Sequence, residues 1–146
     1  MLRVPYMRGA LCEVWVGKAV GARATGAALA KMPEILGAGT TGGGKSAAMN
    51  AMLSSVLLRA RRHEVRLVLV DPKQVELNHY ESIPHLLTPV VTNMKHAAAA
   101  LQNIVREMET RYELMGTYRS RNLIELNRAR KAKGHPPLPY ILGVID

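Results

Sequence analysis

Gly39-Thr40-Thr41-Gly42-Gly43-Gly44-Lys45-Ser46 decides the reading of this chain. The stretch satisfies G-x-x-x-x-G-K-[ST], a spacing at which main-chain amides, an ammonium and a hydroxyl converge on one polyphosphate. Glycines at these places let N–H groups turn inward, because no Cβ opposes positive φ or blocks a close approach. Lys45 is a mobile point charge able to reach β- and γ-phosphates. The Ser46 hydroxyl is a hard oxygen donor that suits Mg²⁺. The plain alternative is a glycine-rich turn that meets the pattern by chance, and the flanking sequence argues against it.

A phosphate loop of this kind follows a buried strand and opens a helix whose N-terminus points at the anion. Met32 to Ala38, with Ile35, Leu36 and Ala38, supplies the apolar run for that strand. From Lys45 to about Leu58 the apolar residues Ala48, Met52, Leu53, Val56 and Leu57 recur at helical spacing on one face. Upstream, Glu13 to Leu29 reads as a β-hairpin, with Val14, Trp15 and Val16 in one arm and turn glycines between residues 17 and 22.

Downstream, Val65-Arg66-Leu67-Val68-Leu69-Val70 is rich in Val and Leu and reads as a central strand. Asp71-Pro72-Lys73 ends it, since proline cannot continue a central ladder. Leu86 to Val91 is a candidate short strand. Thr92 or Asn93 then caps a helix from about Met94 to Met115, with Ala97, Leu101, Ile104, Val105, Met108, Tyr112 and Met115 along its apolar face. Arg119 to Lys133 holds six cations against Glu125 alone, and reads as a helix over about 122–132. This stretch is either a solvated helix or a DNA contact. Gly134 to Pro139 is a stiff connector. Tyr140-Ile141-Leu142-Gly143-Val144-Ile145-Asp146 then reads as an apolar strand ending in a carboxylate. Enzymes with this loop hold Mg²⁺ through the loop Ser or Thr and an Asp that closes a second apolar strand. Ser46 and Asp146 are therefore the candidate metal ligands.

The 146 residues fit one domain of ordinary size, and a hydrophobic fraction of 48% can supply its core. Phe is absent, so Leu, Val, Met and Ala must fill that core. The formal charge of +9 favours a polyanionic partner or marks a well-solvated surface. Cys12 is the single cysteine, which excludes an internal disulfide and suits a reducing cytoplasm. No apolar run approaches the length of about 18 residues that a spanning helix needs. Arginines break the N-terminal apolar stretch, so it makes a poor signal peptide.

Beyond the loop, the chain resembles the motor domain of the FtsK/SpoIIIE DNA translocases. Lys31-Met32-Pro33 and Ala38 to Gly42 are similar to the family's entry into the phosphate loop. Val65 to Lys73 resembles its VRLxLxDPK segment, and Ile83 to Thr92 its IPHLLTPVVT segment. Met108 to Met115, Arg121-Asn122-Leu123 and Leu138 to Ile141 match as well.

The resemblance implies an α/β fold of the P-loop NTPase class: a RecA-like three-layer sandwich with a mostly parallel sheet, preceded by the hairpin. Residues 1–30 would be the hairpin extension and 31–146 a partial ATPase domain. It implies ATP and Mg²⁺ as cofactors and double-stranded DNA as partner. It also implies a homo-hexameric ring and a role in chromosome segregation and cell division, in a cytoplasmic protein that is often membrane-anchored in intact members. Carried over by motif, Thr40, Thr41, Gly42, Gly43, Gly44, Lys45, Ser46 and Ala47 bind the nucleotide. Lys45 would be the catalytic group that stabilises transferred charge, and Ser46 with Asp146 would hold the metal. Asp71 and Lys73, matching the family's DPK, are either site-adjacent or a plain Asp-Pro turn.

The family's second apolar strand ends in Asp-Glu, whereas Asp146 is the last residue here. The Glu that polarises the attacking water is thus absent from the sequence, as are strands 4 and 5 of a RecA-like sheet. Without them the phosphate-loop strand lacks its central partner, and unpaired buried backbone groups cost roughly 1–3 kcal/mol each. The isolated chain is therefore expected to be marginally stable and inactive in turnover. Gly37 and Gly143 stand where apolar residues are usual in the two site-bearing strands. The competing readings are a non-catalytic nucleotide-binding module, a conjugative plasmid-transfer relative, and a basic nucleic-acid-binding protein with an incidental loop. The matches outside the loop argue against the last.

Overall fold

Val65–Val70 forms strand β3 and Tyr140–Ile145 forms strand β4; β1 and β2 precede them. The two pair in parallel, residue for residue, from Val65↔Tyr140 to Val70↔Ile145. A parallel pair needs a long crossover, and residues 71–139 supply it with two helices. A computed structural model of the chain describes residues 13–18, 24–31, 34–38 and 44–146. The chain divides into two compact units, Met1–Arg61 and Arg62–Asp146.

In the first unit, β1 (Glu13–Lys18) and β2 (Ala24–Ala28) form the expected antiparallel hairpin. The register shifts between Trp15 and Gly17, the mark of a bulge. Helix α1 (Lys45–Arg59) packs along β1. Its buried residues are Met49, Leu53 and Val56, spaced i, i+4, i+7 as a single buried stripe requires. Of the apolar face expected from sequence, Leu53 and Val56 are buried, Met52 and Leu57 are half-buried, and Ala48 is exposed.

In the second unit β3 is the core. Val65, Leu67 and Leu69 on one face are fully buried, and Val68 and Val70 on the other nearly so. That is the pattern of a strand covered on both sides. Helix α2 (Met94–Tyr118) starts from Asn93, whose side chain accepts a 2.8 Å hydrogen bond from the Lys95 N–H. Its Ala97 and Ala100 pack on Val70 and Val91. Helix α3 (Leu123–Ala132) starts from Asn122 in the same way and buries Leu126. Gly134 ends it in the left-handed region (φ 78°). Its N–H bonds to Lys131 O and that of His135 to Arg130 O, the paired bonds of a Schellman cap.

Arg111 fastens α2 to the connector. Its Nε pairs with Glu107 at 2.7 Å, and its Nη1 donates to Pro139 O at 2.6 Å. Asn127 fastens α3 to the same connector with two bonds to the Leu138 backbone, at 2.8 and 2.7 Å.

Three expectations need correction. Glu34–Ala38 is not a strand: its residues are exposed, with Leu36 at 95%, and no strand pairs with it among the described residues. An extended segment needs a ladder partner to count as a strand, and Gly37 contributes no side chain to help it pack. Leu86 to Val91 makes only two isolated bridges to β3, at Leu67 and Val70, because Pro89 interrupts the ladder. On α2, Leu101, Val105, Met108 and Tyr112 are exposed at 41–61%, although they continue the apolar face of Ala97. The sheet contact falls on the neighbouring strip through Ala97, Ala100 and Ile104.

Gly143 lies inside β4 with an ordinary strand φ, and a Cβ there would meet Ile104 Cδ1 at 3.8 Å, a normal contact. Gly143→Ala is expected to stabilise the second unit by about 0.5–1 kcal/mol, through lower unfolded-state entropy and closer packing on Ile104. A shift of the urea midpoint to higher concentration at constant slope checks it.

Candidate functional site

Gly44 is the N-cap of α1, with φ 83° and ψ 4°. A Cβ there would touch nothing within 4 Å, so the need for glycine is one of backbone conformation rather than space. An L-residue in this region costs roughly 1–2 kcal/mol. The turn delivers the chain into α1 at Lys45, and the Gly44 carbonyl accepts the first helical bond, from the Ala48 N–H at 2.9 Å. Lys45 and Ala47 are exposed and Ser46 is half-buried. Thr40, Thr41, Gly42 and Gly43 lie outside the described residues.

The α1 N-terminus differs from the other two long helices. It has no side-chain cap hydrogen bond, and like α2 it has no acidic residue in its first turn. An asparagine side chain caps α2 and another caps α3. A helix N-terminus carries the positive end of the helix dipole, which is the electrostatic fit for a phosphate.

Asp146 directly follows β4 at its carboxyl end. Its N–H donates to Val70 O at 3.0 Å, and the residue is half-buried. Because Val70 pairs with Ile145, the next residue on each strand is an aspartate: Asp71 on β3 and Asp146 on β4. The carboxyl ends of parallel strands are where open α/β sheets place their ligands.

The two aspartates have different uses. Asp71 is fully buried, and its Oδ2 accepts from the N–H groups of Glu76 and Leu77 at 2.9 and 2.8 Å. Its backbone carbonyl accepts from Gln74 N at 3.1 Å. Burial alone would raise the Asp71 carboxyl; the N–H groups of Leu77, Glu76, Gln74 and Val75 outweigh it and hold the carboxyl below its ordinary value. Asp71 is thus the anchor of the loop after β3, a turn role, while Lys73 at the loop's tip is exposed. The sequence shows the Asp-Pro turn but not this lock, since its partners lie five and six residues on, with no residue type that announces them.

Among the described residues, no group of three His, Cys, Asp or Glu side chains could hold a metal. Mg²⁺ dehydrates reluctantly and is commonly held by one or two protein oxygens together with substrate phosphates rather than by a protein cage. Ser46 and Asp146 supply oxygen donors of that kind. No helix among the described residues is long and apolar enough to cross a membrane.

Comparison with known proteins places this arrangement. The sequence profile of the FtsK/SpoIIIE family matches residues 7–141. The chain is 48% identical over 128 residues to the DNA translocase FtsK of Streptomyces coelicolor, covering 81% of this chain and 14% of that protein. It is 46% identical over 139 residues to the DNA translocase SpoIIIE of Bacillus subtilis, covering 91% and 18%. The chain therefore spans less than a fifth of the length of these relatives. Among solved structures, the pCW3 conjugation coupling protein TcpA, in its monomer form with ATPgS, superposes with a TM-score of 0.77 at 27% identity. That match covers 99% of this chain and 38% of TcpA. With the profile matching across residues 7–141 and relatives at 46–48% identity over most of the sequence, the chain belongs to the FtsK/SpoIIIE family, with an α/β fold of the P-loop NTPase class.

Proposed function

We propose that this chain is the nucleotide-binding part of a DNA-translocating motor, with residues 31–146 contributing to a P-loop ATPase domain and residues 1–30 forming its hairpin extension. One observation carries the reading: Gly44 turns left-handed, at φ 83°, into a helix that opens on Lys45 and Ser46. Residues Thr40 to Ala47 cradle the phosphates of ATP. The Lys45 ammonium neutralises charge on the β- and γ-phosphates and on the group in transfer. Ser46, in the first unit, and Asp146, in the second, are the protein ligands of Mg²⁺. When bound, that ion supplies charge neutralisation between the phosphates. The pairing of these two residues rests on the motif.

The partner is double-stranded DNA, acted on by a homo-hexameric ring in the cytoplasm during chromosome segregation and division. A second reading, transfer of plasmid DNA in conjugation, is favoured by the likeness to TcpA.

Titration with a fluorescent ATP analogue, with and without Mg²⁺, tests the metal assignment. The unaltered chain is expected to bind at least about tenfold more tightly with Mg²⁺, equivalent to about 1.4 kcal/mol. Ser46→Ala and Asp146→Asn should each lose most of that gain and keep the metal-free affinity. A Mg²⁺ effect that survives both substitutions would remove these residues from the metal site.

A further inference from the structure

The second unit carries a concentration of positive charge that the nucleotide site does not use. Residues 119–133 hold Arg119, Arg121, Arg128, Arg130, Lys131 and Lys133 against the single acid Glu125. Glu125 is already engaged, since its carboxylate accepts from the Arg121 backbone N–H at 2.9 Å. Arg128 and Lys131, three residues apart, share a face of α3, Arg121 lies in the turn that enters it, and all three are exposed. The helix is anchored by buried Leu126, on the side away from Arg128, and by the bonds of Asn127 to Leu138 and of Arg130 Nε to Pro136 O. The cations are thus mounted on a helix whose orientation is fixed by its inner side.

The corner that leads into this helix adds a second observation. Arg119 ends α2 in the left-handed region, at φ 52°. Ser120 N donates to Met115 O at 2.9 Å, so Arg119 occupies the position at which helices ordinarily use glycine. A strained arginine at an exposed corner calls for an explanation outside local stability. Beside it the Lys133 ammonium lies 4.6 Å from the centre of the Tyr118 ring, which fixes a further cation at this end.

We propose that the solvent face of α3, with Arg119 at its entry, is a phosphate-tracking surface for duplex DNA. Duplex DNA carries one negative charge per about 1.7 Å of its axis, so a straight row of cations finds phosphates in any register and without sequence preference. Arginine outnumbers lysine on the surface, which suits phosphate recognition. An anionic membrane fits less well: Leu126 is buried and Ile124 is the one large apolar side chain that α3 exposes, whereas an interfacial helix must present a broad apolar face to lipid. The proposal rests on the reading of the chain as part of a DNA-handling motor and assigns the surface that meets the DNA backbone.

The test uses the full chain and a 20-base-pair duplex, followed by fluorescence anisotropy from 50 to 200 mM salt. The unaltered chain is expected to bind, with affinity falling as salt rises. The combined variant R121A/R128A/K131A should bind at least about tenfold more weakly at low salt. Its log–log salt slope should be shallower by about 2.7, or about 0.9 for each phosphate no longer neutralised. A variant of equal charge reduction elsewhere, R62A/K95A/R106A, controls for net charge. Arg119→Gly should raise the melting temperature while lowering DNA affinity, a split that a purely structural residue does not give. Circular dichroism confirms that each variant is folded. Equal weakening by the control triple, no DNA binding by the unaltered chain at 50 mM salt, unchanged affinity in Arg119→Gly, or an effect confined to binding of phosphatidylserine vesicles would each overturn the proposal. ATP-analogue binding is measured in parallel and should be the same in the α3 triple variant as in the unaltered chain. A chain that binds DNA through α3 but never binds nucleotide would end the nucleotide reading and leave this one standing.

Discussion

Lys45→Ala is expected to reduce affinity for an ATP analogue by at least about 30-fold, and to do so without changing the stability of the fold. A charge-assisted hydrogen bond to a phosphate oxygen contributes about 1.5–3 kcal/mol. An ammonium serving both β- and γ-phosphates makes more than one such bond, so the loss is about 2 kcal/mol or more, and each 1.4 kcal/mol is tenfold. Stability should hold because Lys45 is exposed at the first position of α1, and alanine is the better helix former there. Lys45→Arg keeps the charge but replaces a compact, mobile ammonium with a rigid planar fork, so it should restore only part of the affinity. Equal affinity in the alanine variant and the unaltered chain would refute the assignment of the loop. A melting temperature that fell with affinity would instead assign Lys45 a structural role.

The parts of this fold that the sequence made legible are those set by local rules. Helices α2 and α3 begin where Asn93 and Asn122 can accept from a first-turn N–H, and both start within a residue of the expected place. Helix α2 runs three residues past Met115, because Gly116 is tolerated within it and the stop comes from the left-handed Arg119. Strands β3 and β4 are legible as apolar runs, the first rich in Val and Leu and the second in Ile, Leu and Val, and their parallel pairing follows from the long crossover between them. Periodicity showed that Leu101, Val105, Met108 and Tyr112 share a face, but a pattern of apolar residues does not say what covers them. The same limit explains Glu34–Ala38, where an apolar run reads as a strand only once a partner supplies the ladder. At the candidate site, the loop motif named Gly44, Lys45 and Ser46 correctly as the entry to a helix. The distinction between Asp71 and Asp146 needed three dimensions, since both are aspartates that end a strand.

That distinction yields the largest effect expected on stability. Asp71→Ala should cost the second unit about 2–4 kcal/mol, a large part of the 5–15 kcal/mol typical of a whole domain. The Leu77 N–H that donates to Asp71 Oδ2 is buried, and the Glu76 N–H partly so. Truncation leaves both without an acceptor, at roughly 1–3 kcal/mol for each unsatisfied group. The loss is offset in part because Asp71 Oδ1 is itself buried with no hydrogen-bond partner, and its removal relieves that desolvation. Asp71→Asn keeps an acceptor oxygen while losing the charge, and should cost about half as much. The pH dependence separates the electrostatic part from the rest. The folded-state pKa of Asp71 lies below its ordinary value of 3.8, so the ionised carboxylate favours the folded chain. Its contribution is complete above the unfolded-state value and is lost as pH falls through the folded one. The stability gap between the unaltered chain and Asp71→Asn should therefore be constant from about pH 5 to 7, and should narrow below about pH 4. Urea melts at pH 7, 4 and 3 measure it. A gap that stayed the same width down to pH 3 would show that shape and hydrogen bonding alone account for the aspartate, with no part played by its charge.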